Sequence, residues 1–452
     1  MASPVAPASV FSFLDTDLYK LTMQCAILKY FPSVEVEYTF TNRTPQMRLN
    51  TEAYAWLQEQ VLKLGNIRLD AQELQYLRDH CTFLTPQHLS YLQSFRLRPA
   101  EQVILTFTPV DDTFGDLSMV VQGLWVETIL YEIPLLALTS EAYFRFVDRD
   151  WDYEGQEEEA YEKGLRLLTA GCVFSDFGSR RRRDFHTQDL VIAGLVRASK
   201  EHPHLPGKLT GTSNVYFAMK HGIPPIGTVA HEWYMGIAAL MDDYEHANEL
   251  GLRFWMGCFG PGVLAIALTD TFGTPDFFKA FKKPIRAVTS ADARPSRTEP
   301  ADEAEDRSGR PSYAEVFAGI RQDSGDPKDY VRMASHFYKS IGVPEKTIVF
   351  SDSLNVDKCI EYKAVAEKYG FTPSFGVGTF LTNDFTHKSD PHTKSPPLNI
   401  VIKLSKAGGR PAVKISDNIG KNTGDTATVQ RVKKELGYTE HSWTGGDEAH
   451  RW

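Results

Sequence analysis

Arg321-Gln-Asp-Ser-Gly-Asp326 sets one base beside two acids at the end of the strand-like run Phe317-Ala-Gly-Ile320. An arginine there can clamp an anion through its forked donors while Asp323 meets a sugar hydroxyl or a metal ion; Asp-Ser-Gly-Asp-Pro also reads as a plain turn. Ser351-Asp-Ser353 ends the apolar run Ile348-Val-Phe350, where Asp352 could hold ribose hydroxyls or magnesium, or simply cap the next helix. In Ser374-Phe-Gly-Val-Gly-Thr379, Gly376 and Gly378 permit the close backbone approach by which consecutive N–H groups cradle a phosphate, next to Thr379. Arg180 to Arg183 follow Phe177-Gly178, and four guanidiniums in an acidic chain suit anion binding. Arg180 is expected in the pocket, with outward-facing residues among Arg181 to Arg183. His231-Glu-Trp-Tyr-Met235 lacks the second histidine of a helix-borne zinc pair, so His231 reads as an acid/base, a covalent nucleophile or a structural residue. Together these residues suit an enzyme handling a phosphorylated sugar or nucleotide, with magnesium as its metal.

Such scattered residues need a scaffold that brings them together. Seven times between Cys172 and Asn383 a short apolar or β-branched run ends in a small polar tag, and helix-like sequence usually follows. The runs begin near Phe174, Leu209, Ile226, Ala267, Ile320, Ile348 and Ser374. This is the rhythm of a β/α barrel, in which strand ends converge on one face. Residues 11–150 read instead as an α+β domain: a helix from Asp17 to Tyr30 with Asp15 to Asp17 as capping residues, and alternating strand-like Val34–Phe40. Tyr19 there could equally face a core. Further helices are expected around 51–64 and 71–79, and strands at 102–107 and 117–121. The barrel is expected over 151–396, opened by a helix at 157–168 and carrying a mobile insertion at 288–311. Residues 397–452 are expected to rejoin the first domain through a hairpin, Leu398–Leu404 with Pro411–Ser416, and a helix from Thr426 to Leu436 capped by Asp425 or Thr426 and stopped by Gly437. Residues 1–10 read as a flexible tail.

Composition narrows the classes. The 452 residues carry 49 Lys+Arg against 58 Asp+Glu, a net charge of −9, which disfavours nucleic acid as a partner. Five cysteines share no short spacing, so neither a disulfide framework nor a zinc site is expected and a reducing compartment fits. No stretch approaches the roughly 18 to 20 apolar residues that span a bilayer, and Met1 to Ser9 lacks basic residues, which disfavours a targeting signal. A cytoplasmic location is expected, with a nuclear pool left open.

The tags named above, with Leu14-Asp-Thr-Asp-Leu-Tyr-Lys20, Gly227-Thr-Val-Ala-His-Glu-Trp233 and Ala267-Leu-Thr-Asp-Thr-Phe-Gly273, closely resemble the nicotinate phosphoribosyltransferase family in its fungal form, from about Phe11 to Trp452. The resemblance implies a type II phosphoribosyltransferase fold: an irregular β/α barrel packed against an N-terminal α+β domain. It implies that nicotinate displaces pyrophosphate from phosphoribosyl pyrophosphate, giving nicotinate mononucleotide for NAD synthesis, coupled to ATP hydrolysis with magnesium. By the same resemblance His231 is phosphorylated by ATP, and His231, Arg321 and Asp323 are catalytic. Phe177 and Tyr19 sandwich the pyridine ring, Tyr19 from this chain or from a second subunit of a homodimer. Arg180 and Arg321 share the carboxylate and the ribosyl phosphates, Asp323 and Asp352 meet ribose hydroxyls or magnesium, and Gly376, Gly378 and Thr379 hold the 5-phosphate. Thr212 and Ser213 line the substrate site. The amide-using relative, nicotinamide phosphoribosyltransferase, carries an acid where Ser213 stands; a hydroxyl can donate to nicotinate, whereas an acid would repel it. That enzyme and a non-catalytic scaffold are the alternatives.

Overall fold

Strand β1 (Glu35–Asn42) buries every second residue, Val36, Tyr38 and Phe40, as a strand with one covered face must. It lies in an antiparallel sheet with β2 (Leu49–Asn50), β3 (Val103–Pro109) and β4 (Phe114–Leu124). The computed structural model describes residues 10–289, 309–417 and 422–438. The expected tail thus lies outside the described residues but for Val10, as does the insertion from 290 to 308. The insertion's flanks are joined: Ile285 N donates to Pro311 O (3.0 Å) and Tyr313 N to Lys283 O (3.2 Å).

The second sheet is parallel throughout. It comprises β5 (Val173–Asp176), β6 (Lys208–Thr212), β7 (Ile266–Leu268), β8 (Gly319–Gln322), β9 (Thr347–Phe350) and β10 (Thr372–Val377), in the order β6-β5-β10-β9-β8-β7. Six of the seven expected runs are therefore strands. The run at Ile226 is not, because Pro224-Pro225 supplies no N–H for a ladder. It runs alongside β6 instead, with Ile226 N donating to Thr212 O (2.8 Å) and Thr212 N to Pro224 O (3.2 Å). Thr228 Oγ1 reaches Ile266 O on β7 (3.3 Å), so this stretch spans the gap between the edge strands and completes an irregular ring. Close packing fixes the crossing: a Cβ on Gly211 would lie 2.0 Å from Pro224 O.

After the short pair β11 (Phe385–Thr386) and β12 (Lys394–Ser395), β13 (Ile400–Ala407) returns to the antiparallel sheet and pairs with β1. The expected hairpin is truncated, however. Only Arg410–Pro411 (β14) pairs with β13. The chain then leaves for the barrel mouth, where Ile415 N donates to Thr271 O (2.7 Å). The helix Thr426–Leu436 has Asp425 as its N-cap, accepting from Thr428 N, and Gly437 at φ 60° as its stop.

Two helices join the sheets. Leu18–Tyr30 is buried on nearly every side, and all eleven residues of His231–Met241 are buried, its outer face packing on β13. Asp17 is the N-cap of the first helix by position but makes no capping hydrogen bond. Asp15 and Asp17 reach across the molecule instead: Asp15 takes both Arg182 Nη atoms (2.7 Å each), and Asp17 Oδ1 accepts from Ser179 Oγ (2.7 Å) and Ser213 Oγ (2.8 Å).

Candidate active site

Two cavities open side by side where the strand ends of the parallel sheet face β13. The first is polar. Arg43, Arg180, Arg181, Arg321, Lys403 and Lys414 surround it, with Asp323, Asp352, Gly376, Gly378 and Thr379 on its walls. The second is lined by Tyr19, Phe177, Ile226, Met235, Ile266 and Val349, with Asp17, Glu132, Ser213, His231 and Glu232 among its polar groups. Phe177, Arg180, Arg321, Asp323 and Lys403 face both. Tyr19 of this same chain reaches the second cavity.

His231 stands at the first position of its helix, 6% exposed. Burial, then the Lys414 charge, push its imidazole down to about 4, so the ring is neutral near pH 7. Lys414 Nζ donates to Nε2 across 2.9 Å. That assignment leaves the single ring proton on Nδ1, donated to Thr271 Oγ1 at 3.0 Å. Asp323 Oδ2 also lies 3.1 Å from Nε2. An acceptor facing that lone pair is held in place by its other bonds: Ser351 Oγ (2.6 Å) and Arg321 Nη2 (3.2 Å) donate to Asp323 Oδ1. Burial alone would raise the Asp323 carboxyl, but the neighbouring cations, Arg321 first and Lys414 with it, hold it well below the usual range. Arg321 is itself fixed by Ser351 Oγ (2.8 Å) and Val229 O (3.2 Å).

Beneath the second cavity runs a chain of alternating charge. Arg180 Nη1 lies 3.5 Å from Glu132 Oε1, and Lys20, fully buried, pairs with both Glu132 and Glu232. Glu232 also accepts from Tyr38 Oη and from Trp125 Nε1 (2.7 Å). Burial would raise Glu132, yet Lys20, Arg180 and Lys403 hold it down at about 2. Tyr19 Oη donates to Glu132 Oε2 at 3.4 Å.

Most sequence-derived candidates meet here: Tyr19, Phe177, Arg180, Ser213, His231, Arg321, Asp323, Asp352, Gly376, Gly378 and Thr379 all line one or both cavities. Thr212 does not. It is fully buried and its hydroxyl donates to Asp176 Oδ2 (2.7 Å), bracing the strand end from behind. Ser213 lines the cavity, but its one hydroxyl proton is committed to Asp17, so it is not free to donate to a bound acid. Gly376 makes room for Phe177, whose ring lies 2.3 Å from where a Cβ would be. The arginine run is also corrected: Arg181, Arg182 and Arg183 are 9%, 1% and 0% exposed. Arg182 pairs with Asp15, and Arg183 binds Asn383 Oδ1 (2.9 Å) and Ser395 Oγ (2.9 Å) while packing over Phe144. Lys403, Lys414, Arg43, Glu132 and Asp17 were missed. Only Asp17 carried a local signal, the motif Asp15-Thr-Asp17 read there as capping.

A parallel β/α ring whose mouth joins a cationic cavity to an aromatic-walled one defines an enzyme-type site for a polyanion beside a flat ring. Residues 14–140 match the family profile of the nicotinate phosphoribosyltransferase N-terminal domain, and residues 172–291 and 297–440 that of the nicotinate phosphoribosyltransferase family. A nicotinate phosphoribosyltransferase of Saccharomyces cerevisiae is 47% identical over 460 residues, covering 100% of both chains. One from Methanosarcina mazei is 39% identical, covering 92% of this chain and 95% of its own. The crystal structure of a Saccharomyces cerevisiae protein superposes with a TM-score of 0.87 at 45% identity, over 97% of this chain and 100% of that one. That of nicotinate phosphoribosyltransferase from Porphyromonas gingivalis gives 0.79 at 31%, over 95% and 100%. The chain belongs to the nicotinate phosphoribosyltransferase family. Among the described residues no helix is long and apolar enough to cross a membrane.

Proposed function

We propose that the protein transfers the phosphoribosyl group of phosphoribosyl pyrophosphate to nicotinate, coupled to ATP hydrolysis, giving nicotinate mononucleotide for NAD synthesis. The observation that carries this reading is the shared wall of Phe177, Arg180, Arg321, Asp323 and Lys403 between an aromatic cavity and a cationic one. The pyridine ring lies between Tyr19 and Phe177, and the phosphates lie among the guanidiniums with the 5-phosphate at Gly376, Gly378 and Thr379. The ring nitrogen forms its bond to the anomeric carbon as the bond from that carbon to pyrophosphate oxygen breaks, and the electron pair leaves with pyrophosphate. Fixed cations stabilise the charge that develops on the leaving group. Asp323 faces the electron-poor ribose. The carboxylate of nicotinate meets Arg180, whose charge with the two serine donors offsets the nearby Asp17.

His231 is the acceptor of the ATP γ-phosphoryl group. Its Nε2 carries a lone pair and faces Lys414, which can neutralise the incoming oxygens; the bond between phosphorus and the ADP oxygen breaks as the bond to nitrogen forms. The added charge beside the substrate phosphates then changes their affinity during the cycle. Magnesium fits the phosphate cavity as a partner of the substrate. Asp323 and Asp352 offer oxygens, while among the described residues no three His, Cys, Asp or Glu side chains converge as a cage. When bound, the ion would neutralise pyrophosphate oxygens.

The test is labelling with γ-phosphate-labelled ATP. An acid-labile, base-stable phosphoenzyme at His231, absent from His231→Asn and discharged in step with nicotinate mononucleotide formation, is expected. Stoichiometric label elsewhere, or turnover coupled to ATP in His231→Asn, would contradict the role of His231.

A further inference from the structure

Lys20 closes the motif Leu14-Asp-Thr-Asp-Leu-Tyr-Lys20, and the proposed transfer leaves it without a task. It lines neither cavity. Its side chain is 0% exposed near the start of the helix Leu18–Tyr30, and an ammonium buried so completely is costly unless acids are placed to meet it. Two carboxylates from distant parts of the chain do so: Glu132, the first residue of the helix Glu132–Phe146, and Glu232 beside His231, whose Oε2 accepts across 2.6 Å. The ammonium also stands 5.4 Å from the centre of the Tyr19 ring. Glu232 keeps two further donors of its own, Tyr38 Oη and Trp125 Nε1. Glu132 depends on Lys20 more heavily, for its other neighbours are Tyr19 Oη at 3.4 Å and Arg180 Nη1 at 3.5 Å.

Arg180 thus faces Glu132 Oε1 from outside the usual range of a hydrogen bond, although a guanidinium and a carboxylate this close ordinarily shut into a forked pair. Lys20 holds the other oxygen, Oε2. Against the burial of Glu132 it is also the strongest of the cations that keep the acid ionised, ahead of Arg180 and Lys403. The Arg180 side chain is 41% exposed and borders both cavities, so its donors are open to a ligand. We infer that Lys20 is a positioning residue that sets the preference for an acidic ring: by holding Glu132 it leaves the Arg180 guanidinium open to the carboxylate of nicotinate. The inference deepens the proposed phosphoribosyl transfer and rests on it. Without Lys20, Glu132 turns onto Arg180, the forked pair shuts, and the carboxylate of the incoming base loses its donors to a carboxylate of the protein.

The experiment measures KM for nicotinate and for phosphoribosyl pyrophosphate in the full chain and its variants. Lys20→Met should raise the KM for nicotinate roughly 10- to 100-fold, the worth of hydrogen bonds to a charged group, with the KM for phosphoribosyl pyrophosphate within a few-fold. Because Lys20→Met strands two buried acids, Lys20→Met/Glu232→Gln is made beside it: one acid and one guanidinium remain, so buried charge stays balanced while Glu132 is left facing Arg180. It should show the same raised KM. Lys20→Met/Glu132→Gln removes the competing carboxylate and should return the KM for nicotinate to within a few-fold of wild type, a rescue that a merely structural lysine would not allow. An unchanged KM for nicotinate in Lys20→Met/Glu232→Gln, a parallel rise for both substrates, or a rise that persists in Lys20→Met/Glu132→Gln would overturn the inference. Circular dichroism and the melting temperature of each variant exclude misfolding as the cause. If the wild-type protein forms no nicotinate mononucleotide, the proposed function fails first, whereas wild-type turnover without this KM pattern removes the role of Lys20 alone.

Discussion

Replacing Gly376 by alanine puts one methyl group against the ring that forms the floor of the aromatic cavity. A Cβ built at Gly376 lies 2.3 Å from Phe177 Cδ2 and Cε2 and 2.9 Å from Cζ. Carbon atoms pack at roughly 3.5 to 4 Å, so the ring must retreat by more than about 1 Å. The backbone will not resist, because Gly376 sits inside β10, registered with Ser175 of β5, and is not among the positive-φ glycines. The cost therefore falls on Phe177, which is partly exposed to the cavity and can move into it. Such a shift obstructs the space between Phe177 and Tyr19 where the ring lies, and a displacement of about 1 Å at a reacting centre costs on the order of 100-fold in rate. We expect kcat/KM for nicotinate to fall by about that factor, mostly through KM. The KM for phosphoribosyl pyrophosphate should stay within a few-fold, because the N–H groups of β10 are untouched. Stability should fall by about 1 to 3 kcal/mol, the usual cost of overpacking. The assay is steady-state formation of nicotinate mononucleotide at varied nicotinate and fixed, saturating phosphoribosyl pyrophosphate, with Phe177→Ala and the double variant alongside. The double variant should be no worse than Phe177→Ala alone. An unchanged nicotinate KM in Gly376→Ala, or additive losses in the double variant, would refute the role given to Phe177.

Other consequences follow from buried charge. Arg182→Met strips Asp15 of its bidentate partner at 1% exposure and leaves Asn214 Nδ2 (2.8 Å) as a neutral donor, so a loss of about 3 to 5 kcal/mol in denaturant unfolding is expected. A change under 1 kcal/mol would show that the pair contributes little. The His231 imidazole binds protons less readily folded, at about 4, than at its ordinary 6.5, so the unfolded chain takes up more protons between those values and stability falls as pH drops through 6.5 toward 4. Between pH 7 and 5 this side chain should account for about 2 kcal/mol of that fall, which His231→Gln removes; parallel stability curves for the two proteins would contradict its buried, neutral state. Ser213→Asp replaces a donor to Asp17 by a second acid, and should depress nicotinate use at least 10-fold while sparing the phosphoenzyme. Loss of both together would point to a collapsed cavity.

How much of this was legible in the chain differs from element to element. Strand ends announced themselves because an apolar run followed by Ser-Asp, Arg-Gln-Asp or Gly-Val-Gly satisfies two demands at once, a buried strand and a polar mouth. The Asp425 cap and Gly437 stop were readable because both act within one helical turn. Lys403 and Lys414 were not, since each looks like the polar residue of an alternating strand, and only the return of β13 to β1 and the exit after Pro411 aim them at the cleft. The arginine run misled for a related reason. Its partners Asp15, Asn383 and Ser395 are more than 160 residues away, so nothing local distinguished a buried ion pair from a solvated face. Asp17 sits where a cap belongs, but Ser179 and Ser213 outcompete the helix for its oxygens. Pro224-Pro225 shows the converse: the chain kept the path of a strand but lacked the donors to form one.

Product formation by the purified protein tests the central claim most directly. With magnesium and phosphoribosyl pyrophosphate, nicotinate and nicotinamide are offered in parallel, each with and without ATP, and the products are resolved chromatographically. The account predicts nicotinate mononucleotide, formed faster with ATP and with release of ADP, and no comparable turnover of nicotinamide. Preferential use of nicotinamide, or turnover of neither base by folded protein, would contradict it.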